Sequence, residues 1–191
     1  MDKVTSRKRV LAHLTKMDRT EHAQKSAAIL TSLLGDPAFQ NAKTIGVTVS
    51  AFPEVDTLAL IEHCWNIGKK VAVPKCEPLT HAMDFYAIDH FGQLETVYMK
   101  LKEPKISETE YVSANDIDLM VVPGVVYSET GYRIGFGGGY FDRYLVSFNG
   151  ETRSLAFDVQ LEKSVPVEVH DVPVKGIHTE SVYIDTEKVN R

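Results

Sequence analysis

TIGVTVSAFPEVDTLALIEHCWNIGKKVAVP, residues 44–74, decides the fold. Residues 44–50 are short and rich in β-branched side chains, and they read as a strand. Residues 55–68 switch to helical spacing, with Asp56 as the N-cap and Gly68 as the terminating glycine. KVAVP, 70–74, is a second strand. Strand, helix and strand within about thirty residues make the βαβ unit of a parallel sheet. Upstream, residues 3–17 predict a helix with Val4, Leu11 and Leu14 on one face. A second helix should begin at Asp18 or Thr20, turn Ala23, Ala27, Leu30 and Leu34 inward, and stop at Gly35-Asp36-Pro37. Downstream, MDFYAI (83–88) reads as a strand and KLKEPKISETEYVSAN (100–115) as a polar surface connection. DLMVVP (118–123) is almost wholly apolar, as a strand covered on both faces must be. RSLAF (153–157) and SVYI (181–184) are later strands. The expectation is an α/β protein: one domain over 1–191, with a mostly parallel, Rossmann-like sheet flanked by helices and antiparallel pairing toward its edges.

Composition narrows the function classes. The chain has 191 residues, 43% of them hydrophobic, which suits a packed core rather than disorder. No apolar run approaches the roughly 18 residues of a membrane helix, and MDKVTSRKRV lacks the apolar block of a secretory signal. A cytoplasmic protein without a membrane partner is expected. The formal net charge of −5 argues against a broad nucleic-acid surface. The N-terminal cluster Lys3, Arg7, Lys8 and Arg9 is the basic exception, and by itself it suits a solvated helix face. Cys64 and Cys76 form no CxxC pair and read as buried or half-buried thiols.

The densest chemistry lies in GYRIGFGGGYFDRYL, residues 131–145. Four glycines fall among positions 135–139, after a buried strand and before a helix whose Tyr140, Phe141, Tyr144, Leu145 and Phe148 share a face. Glycines let the backbone approach an anion closely, and loop and first-turn N–H groups can point at it. Arg133 and Arg143 could add charge-assisted hydrogen bonds. Asp142, in the first helical turn, is favoured by the helix dipole and is also a natural Mg²⁺ ligand beside phosphates. The stretch is not a P-loop, which requires GxxxxGK[ST]. It is not a dinucleotide fingerprint either, because the sixth position counted from Gly135 is Tyr140. A glycine-rich turn feeding a packed aromatic helix is the structural alternative.

PGVVYSETGYRIGFGGGYFDRYL resembles the signature of the 5-formyltetrahydrofolate cyclo-ligase family, roughly PG(V/L)xFD followed by GxRLGxGxGYYDRYL. Lys3 and Arg7, SAFPEVDT (50–57), VAVPK, LKEP and VPVEVHDVPVKGIHTE extend the resemblance over nearly the whole chain. The resemblance implies ATP-dependent, Mg²⁺-dependent closure of 5-formyltetrahydrofolate to 5,10-methenyltetrahydrofolate, with release of ADP and phosphate. It also implies a fold related to sugar-phosphate isomerases and CoA-transferase-like proteins. The partners would be those two small molecules, with the protein a monomer or weak homo-oligomer. By this resemblance Lys3, Arg7, Arg133, Ile134, Gly135, Phe136, Gly137, Gly138, Gly139, Tyr140 and Phe141 contact ATP. Arg133 and Tyr140 are the catalytic pair. Val49, Phe52 and Glu54, with Phe136 to Tyr140, border the folate. Asp142 would ligate the metal, with Asp171 a further candidate, and Lys75 could approach phosphate. The chain departs from the family at Ser128, where Asp is frequent, at Phe141, where Tyr is frequent, and at Lys175, where some relatives place a metal-binding Asp. His170 and His178 read as surface or structural. Two other readings remain open: an isomerase or transferase with catalytic carboxylates or lysines at strand ends, and a non-catalytic nucleotide or folate sensor.

Overall fold

A computed structural model describes residues 2–98 and 101–190. Helix α1 (Lys3–Thr15) is capped by Asp2, whose carboxylate accepts from the N–H groups of Val4 and Thr5. It buries Ser6, Val10 and Leu14, whereas Val4, in the first turn, is exposed. Helix α2 (Arg19–Leu34), capped by Asp18, buries Ser26, Ile29 and Leu33. The expected period holds, but the stripe is rotated: Ala23 and Ala27 face solvent, and Leu30 and Leu34 are half-buried. Large branched side chains take the interior because an alanine methyl offers little area to bury. Asp36 ends the link and caps α3 (Pro37–Asn41).

The opening βαβ unit forms, with a shorter first strand and helix than read and with Thr57 rather than Asp56 at the N-cap position. Strand β1 (Thr44–Gly46) pairs in parallel with β2 (Lys70–Glu77) across α4 (Leu58–Asn66), with Ile45 opposite Val71. Asp56 accepts from Leu58 N–H at 2.8 Å. Strand β3 (Ala82–Ile88) returns antiparallel to β2. The segment read as a surface connection holds two strands: β5 (Lys102–Pro104), which pairs with β4 (Leu94–Thr96), and β6 (Glu110–Val112), which pairs with β3. Three-residue strands are too short to show a period, and only the burial of Val112 anchors β6. Lys100, the first residue of that stretch, lies outside the described residues.

Strand β7 (Leu119–Val121) is fully buried, as its composition predicted. Next come β8 (Val126–Ser128), β9 (Arg133–Ile134), α5 (Tyr140–Leu145), β10 (Glu151–Leu155), β11 (Leu161–Glu162), β12 (Gly176–His178), β13 (Tyr183–Asp185) and α6 (Thr186–Val189). The main sheet runs β13-β12-β10-β7-β1-β2-β3-β6. Every pair from β12 to β2 is parallel, and the outer pairs are antiparallel. A small sheet, β11-β8-β9, sits beside it. From β1 the chain builds outward through β2, β3 and β6. It then returns to the other side of β1 and builds outward through β7, β10, β12 and β13. The order therefore reverses between β1 and β7, and in open α/β sheets ligands bind beyond the carboxyl ends of strands at such a point.

The sheet has a core on each face. Leu119 and Val121 point into one, with Val10, Leu14, Ile29, Leu33, Leu60 and Phe157. Met120 and Val122 point into the other, with Phe85, Tyr127 and Ile177, and the aromatics of α5 pack there. Cys64 is buried and Cys76 half-buried, both free. Among the described residues no helix is long and apolar enough to cross a membrane.

Candidate active site

Two features meet at the β1/β7 reversal. The first is a cleft lined by Thr48 beyond β1, Val121 to Val125 beyond β7, and Leu155 of β10. Leu11 and Leu14 of α1 close it from above, and Pro53, Glu54, Tyr127, Phe136 and Gln160 complete its wall. Glu54 is held from behind: its main-chain N–H donates to Ala51 O at 2.9 Å, and His22 Nε2 donates to its carbonyl at 2.7 Å. The Phe52–Pro53 bond just before it is cis. Burial against apolar neighbours pushes the Glu54 carboxyl up to about 7.

The second feature is the glycine loop. Gly137 (φ +105°) and Gly139 (φ +68°) lie in the left-handed region, which glycine enters without strain. Among the described residues, the N–H groups of Gly135, Phe136, Gly137, Gly138 and Gly139 donate to no protein acceptor. The loop is fixed through its carbonyls instead. Arg7 Nε donates to Gly135 O at 2.7 Å, and His81 Nδ1 donates to Gly138 O at 2.9 Å. A Cβ built on Gly137 would lie 3.7 Å from the Arg7 guanidinium, so that cation overhangs the loop. Helix α5 is only six residues long, so its dipole adds little, and the free amides and nearby cations dominate the local field.

The cations are already engaged. Arg133 is buried and spends its fork on Val172 O (2.7 Å) and Asp142 Oδ1 (2.8 Å). Lys3 Nζ pairs with Asp171 (2.8 Å) and Glu168 (3.1 Å). Burial alone would raise the Asp171 carboxyl, but Lys3 outweighs it and holds the group below its ordinary range. Lys75 lies between Glu95 (2.8 Å) and Glu103 (3.4 Å), so it is committed to carboxylates rather than free for a phosphate. Lys175 pairs with Glu151 (2.9 Å). Ser128 bonds Thr130 within the β8–β9 turn. His170 is exposed beside Glu168, and His178 is buried between Ser32 and Asp36.

Arg7 thus meets the loop directly, and Arg133 and Asp142 pair across it in sequence; Lys3 and Asp171 pair one residue from Val172, which Arg133 holds, and Phe136 lines the Glu54 cleft from the loop. Val49 and Phe52 are not among the residues that wall the cleft in the ligand-free structure. Val49 packs on the core, and one face of Phe52 is covered by the Arg19 guanidinium, 3.5 Å from the ring centroid. Tyr140 and Phe141 stand half-buried on α5, with the Tyr140 ring centred 5.4 Å from that of His81. Sequence reasoning missed His22, His81 and Tyr127, because nothing local announces which of several histidines or tyrosines will meet the loop.

The sequence profile of the 5-formyltetrahydrofolate cyclo-ligase family matches residues 1–180. The chain belongs to this family. A 5-formyltetrahydrofolate cyclo-ligase of Escherichia coli (strain K12) is 32% identical over 173 residues, spanning 88% of this chain and 93% of that protein. The Haemophilus influenzae cyclo-ligase is 27% identical over 177 residues, covering 91% and 93% of the two chains. Among solved structures, the NMR structure of Aquifex aeolicus 5,10-methenyltetrahydrofolate synthetase superposes with a TM-score of 0.86 at 28% identity, covering 97% of this chain and 93% of that one. The mixed α/β architecture with a mostly parallel sheet is therefore shared with a cyclo-ligase relative.

A Mg²⁺–ATP pair fits the donor set. Among the described residues no cluster of three or more His, Cys, Asp or Glu could hold a metal unaided. Magnesium held chiefly by phosphates and water needs only one or two carboxylates, and Asp142, in the first turn after the glycine loop and paired with Arg133, would be the candidate for one.

Proposed function

We propose that the protein converts 5-formyltetrahydrofolate and ATP to 5,10-methenyltetrahydrofolate, ADP and phosphate. The observation that carries this reading is the run of five loop amides overhung by Arg7, next to a cleft holding a half-buried carboxylate, both without partners among the described residues. The amides and cations suit a triphosphate. Glu54 suits the donor edge of a pterin.

The chemistry explains why both are needed together. A formamide carbon is a weak electrophile, and its oxygen leaves poorly. Transfer of the γ-phosphoryl group to the formyl oxygen turns that oxygen into a phosphate leaving group. N10 of the same folate then attacks the carbon, the C–O bond breaks, phosphate departs, and N10 gives up its proton. Such a reaction asks the protein for positioning and charge neutralisation rather than a nucleophile. Lys3, Arg7 and Arg133 would draw the triphosphate onto the loop, and Asp142 would hold Mg²⁺, which offsets phosphate charge. Phe136, on the loop and in the cleft at once, would stand where the two ligands meet. Arg133 would reach phosphate by exchanging its Asp142 partner for a more highly charged one.

The test is to mix protein, 5-formyltetrahydrofolate and Mg-ATP and follow the methenyl chromophore in the near ultraviolet together with ADP. Equal amounts of the two products are expected. ADP no higher than in the protein-free control would end the reading.

A further inference from the structure

We propose that Tyr127 is a substrate-site residue whose hydroxyl hydrogen-bonds the polar edge of the pterin that Glu54 receives; this rests on the cyclo-ligase reading above. Tyr127 sits on β8 with 0% of its surface exposed. Its Oη is buried and has no hydrogen-bond partner among the described residues. The Ser154 hydroxyl gives its proton to Val122 O at 2.7 Å; its oxygen is close enough to the phenol to favour the ionised form, but the pair does not reach hydrogen-bond geometry. A buried hydroxyl left unpaired destabilises a fold, and phenylalanine would fill the same space without that cost. The hydroxyl therefore has no evident structural use.

Its location supplies one. A Cβ built on Gly124 would lie 2.9 Å from Tyr127 Oη, so the hydroxyl rests against Gly124, and both residues line the cleft that Glu54 lines. Among the described residues the Glu54 side chain makes no hydrogen bond or ion pair either. One wall of the cleft thus presents a proton acceptor without a donor, and another presents a hydroxyl without a partner. The pyrimidine edge of a pterin complements both. Its ring N–H and exocyclic amino group are donors for a carboxylate, and the adjacent 4-oxo group is an acceptor for a phenol O–H. The cleft has room inside for about 40 Å³ of water, too little for the ring. Phe136, half exposed on the glycine-loop side of the wall, must swing aside as the pterin enters.

The measurement is a comparison of wild type with Tyr127→Phe: the KM for 5-formyltetrahydrofolate, its equilibrium Kd without nucleotide, the KM for ATP, kcat and Tm. The folate KM and Kd should rise about five- to fifty-fold, while the ATP KM holds and Tm stays level or increases. Folate constants that do not change would overturn the assignment and leave the hydroxyl to a trapped water. A lowered Tm would overturn it too, because the hydroxyl would then be holding the fold. Wild-type protein that makes no methenyl product would sink the cyclo-ligase reading and this assignment with it. An active wild type with a folate-indifferent variant would sink this assignment alone.

Discussion

Glu54 shows what single residues add to the site. Its carboxyl is raised from 4.5 to about 7 by burial. The folded state thus favours the neutral acid, and that preference contributes stability below about pH 4.5 that is lost as pH rises toward 7. Glu54→Gln stays neutral throughout. In ligand-free protein its Tm should match wild type near pH 4.5, exceed it increasingly up to pH 7, and hold a constant lead above that. A Tm difference that does not vary with pH would show that the carboxyl is solvated. At this scale the sequence was informative where chemistry is carried by residue type within a contiguous motif: Arg7, Arg133, Asp142 and the glycines do converge. It was silent on the ion pairs that occupy Lys3 and Lys75, because Asp171, Glu168, Glu95 and Glu103 are brought in by tertiary folding.

Elements differ in what their glycines and caps do. Gly131 ends the β8–β9 turn at φ +88°, and a Cβ there would meet Val174 O at 2.3 Å. Gly137 also has a positive φ, +105°, yet its nearest neighbour would be the movable Arg7 side chain at 3.7 Å. Gly131→Ala should therefore cost several kcal/mol in urea unfolding, while Gly137→Ala should cost about 1 kcal/mol and lose activity instead. Equal stability losses would refute the distinction. Asp36 ties three elements together. It caps α3, receives Arg153 of β10 at 2.7 Å and receives His178 Nε2 of β12 at 3.0 Å. Asp36→Ala would take away the buried carboxylate of Arg153 and leave it only the half-exposed Glu151 at 3.0 Å, a loss of about 2–3 kcal/mol measurable by denaturant unfolding. Burial keeps His178 below its ordinary 6.5 despite Asp36, so this joint weakens as pH falls past that value. The βαβ unit was legible because two periods alternate over thirty residues. Strand β12 was not, since Gly-Ile-His is too short to show a pattern and its place depends on Leu155, Ile177 and His178 meeting. The inward face of α2 was misplaced by one position because alanines satisfy a periodic count as well as Ile29 and Leu33 do.

At the scale of the molecule, the reversal of strand order between β1 and β7 puts the cleft and the glycine loop beyond the carboxyl edge of the central strands. A sequence read along its length could order the strands but not join β1 to β7, a pairing between residues 45 and 119. If that edge holds nucleotide, Mg-ATP at a hundred times its Kd should stabilise the fold by about 2.7 kcal/mol, raising Tm by about 5–10 °C. A thermal shift assay checks this, and a Tm indifferent to Mg-ATP would place the nucleotide elsewhere or nowhere.

Arg7 reaches a carbonyl 128 positions further along the chain, and Lys3 a carboxylate 168 positions further. Helix α1 is therefore moored by segments distant from it along the chain, and a change that loosens the 168–172 stretch would release Lys3 without touching the helix itself.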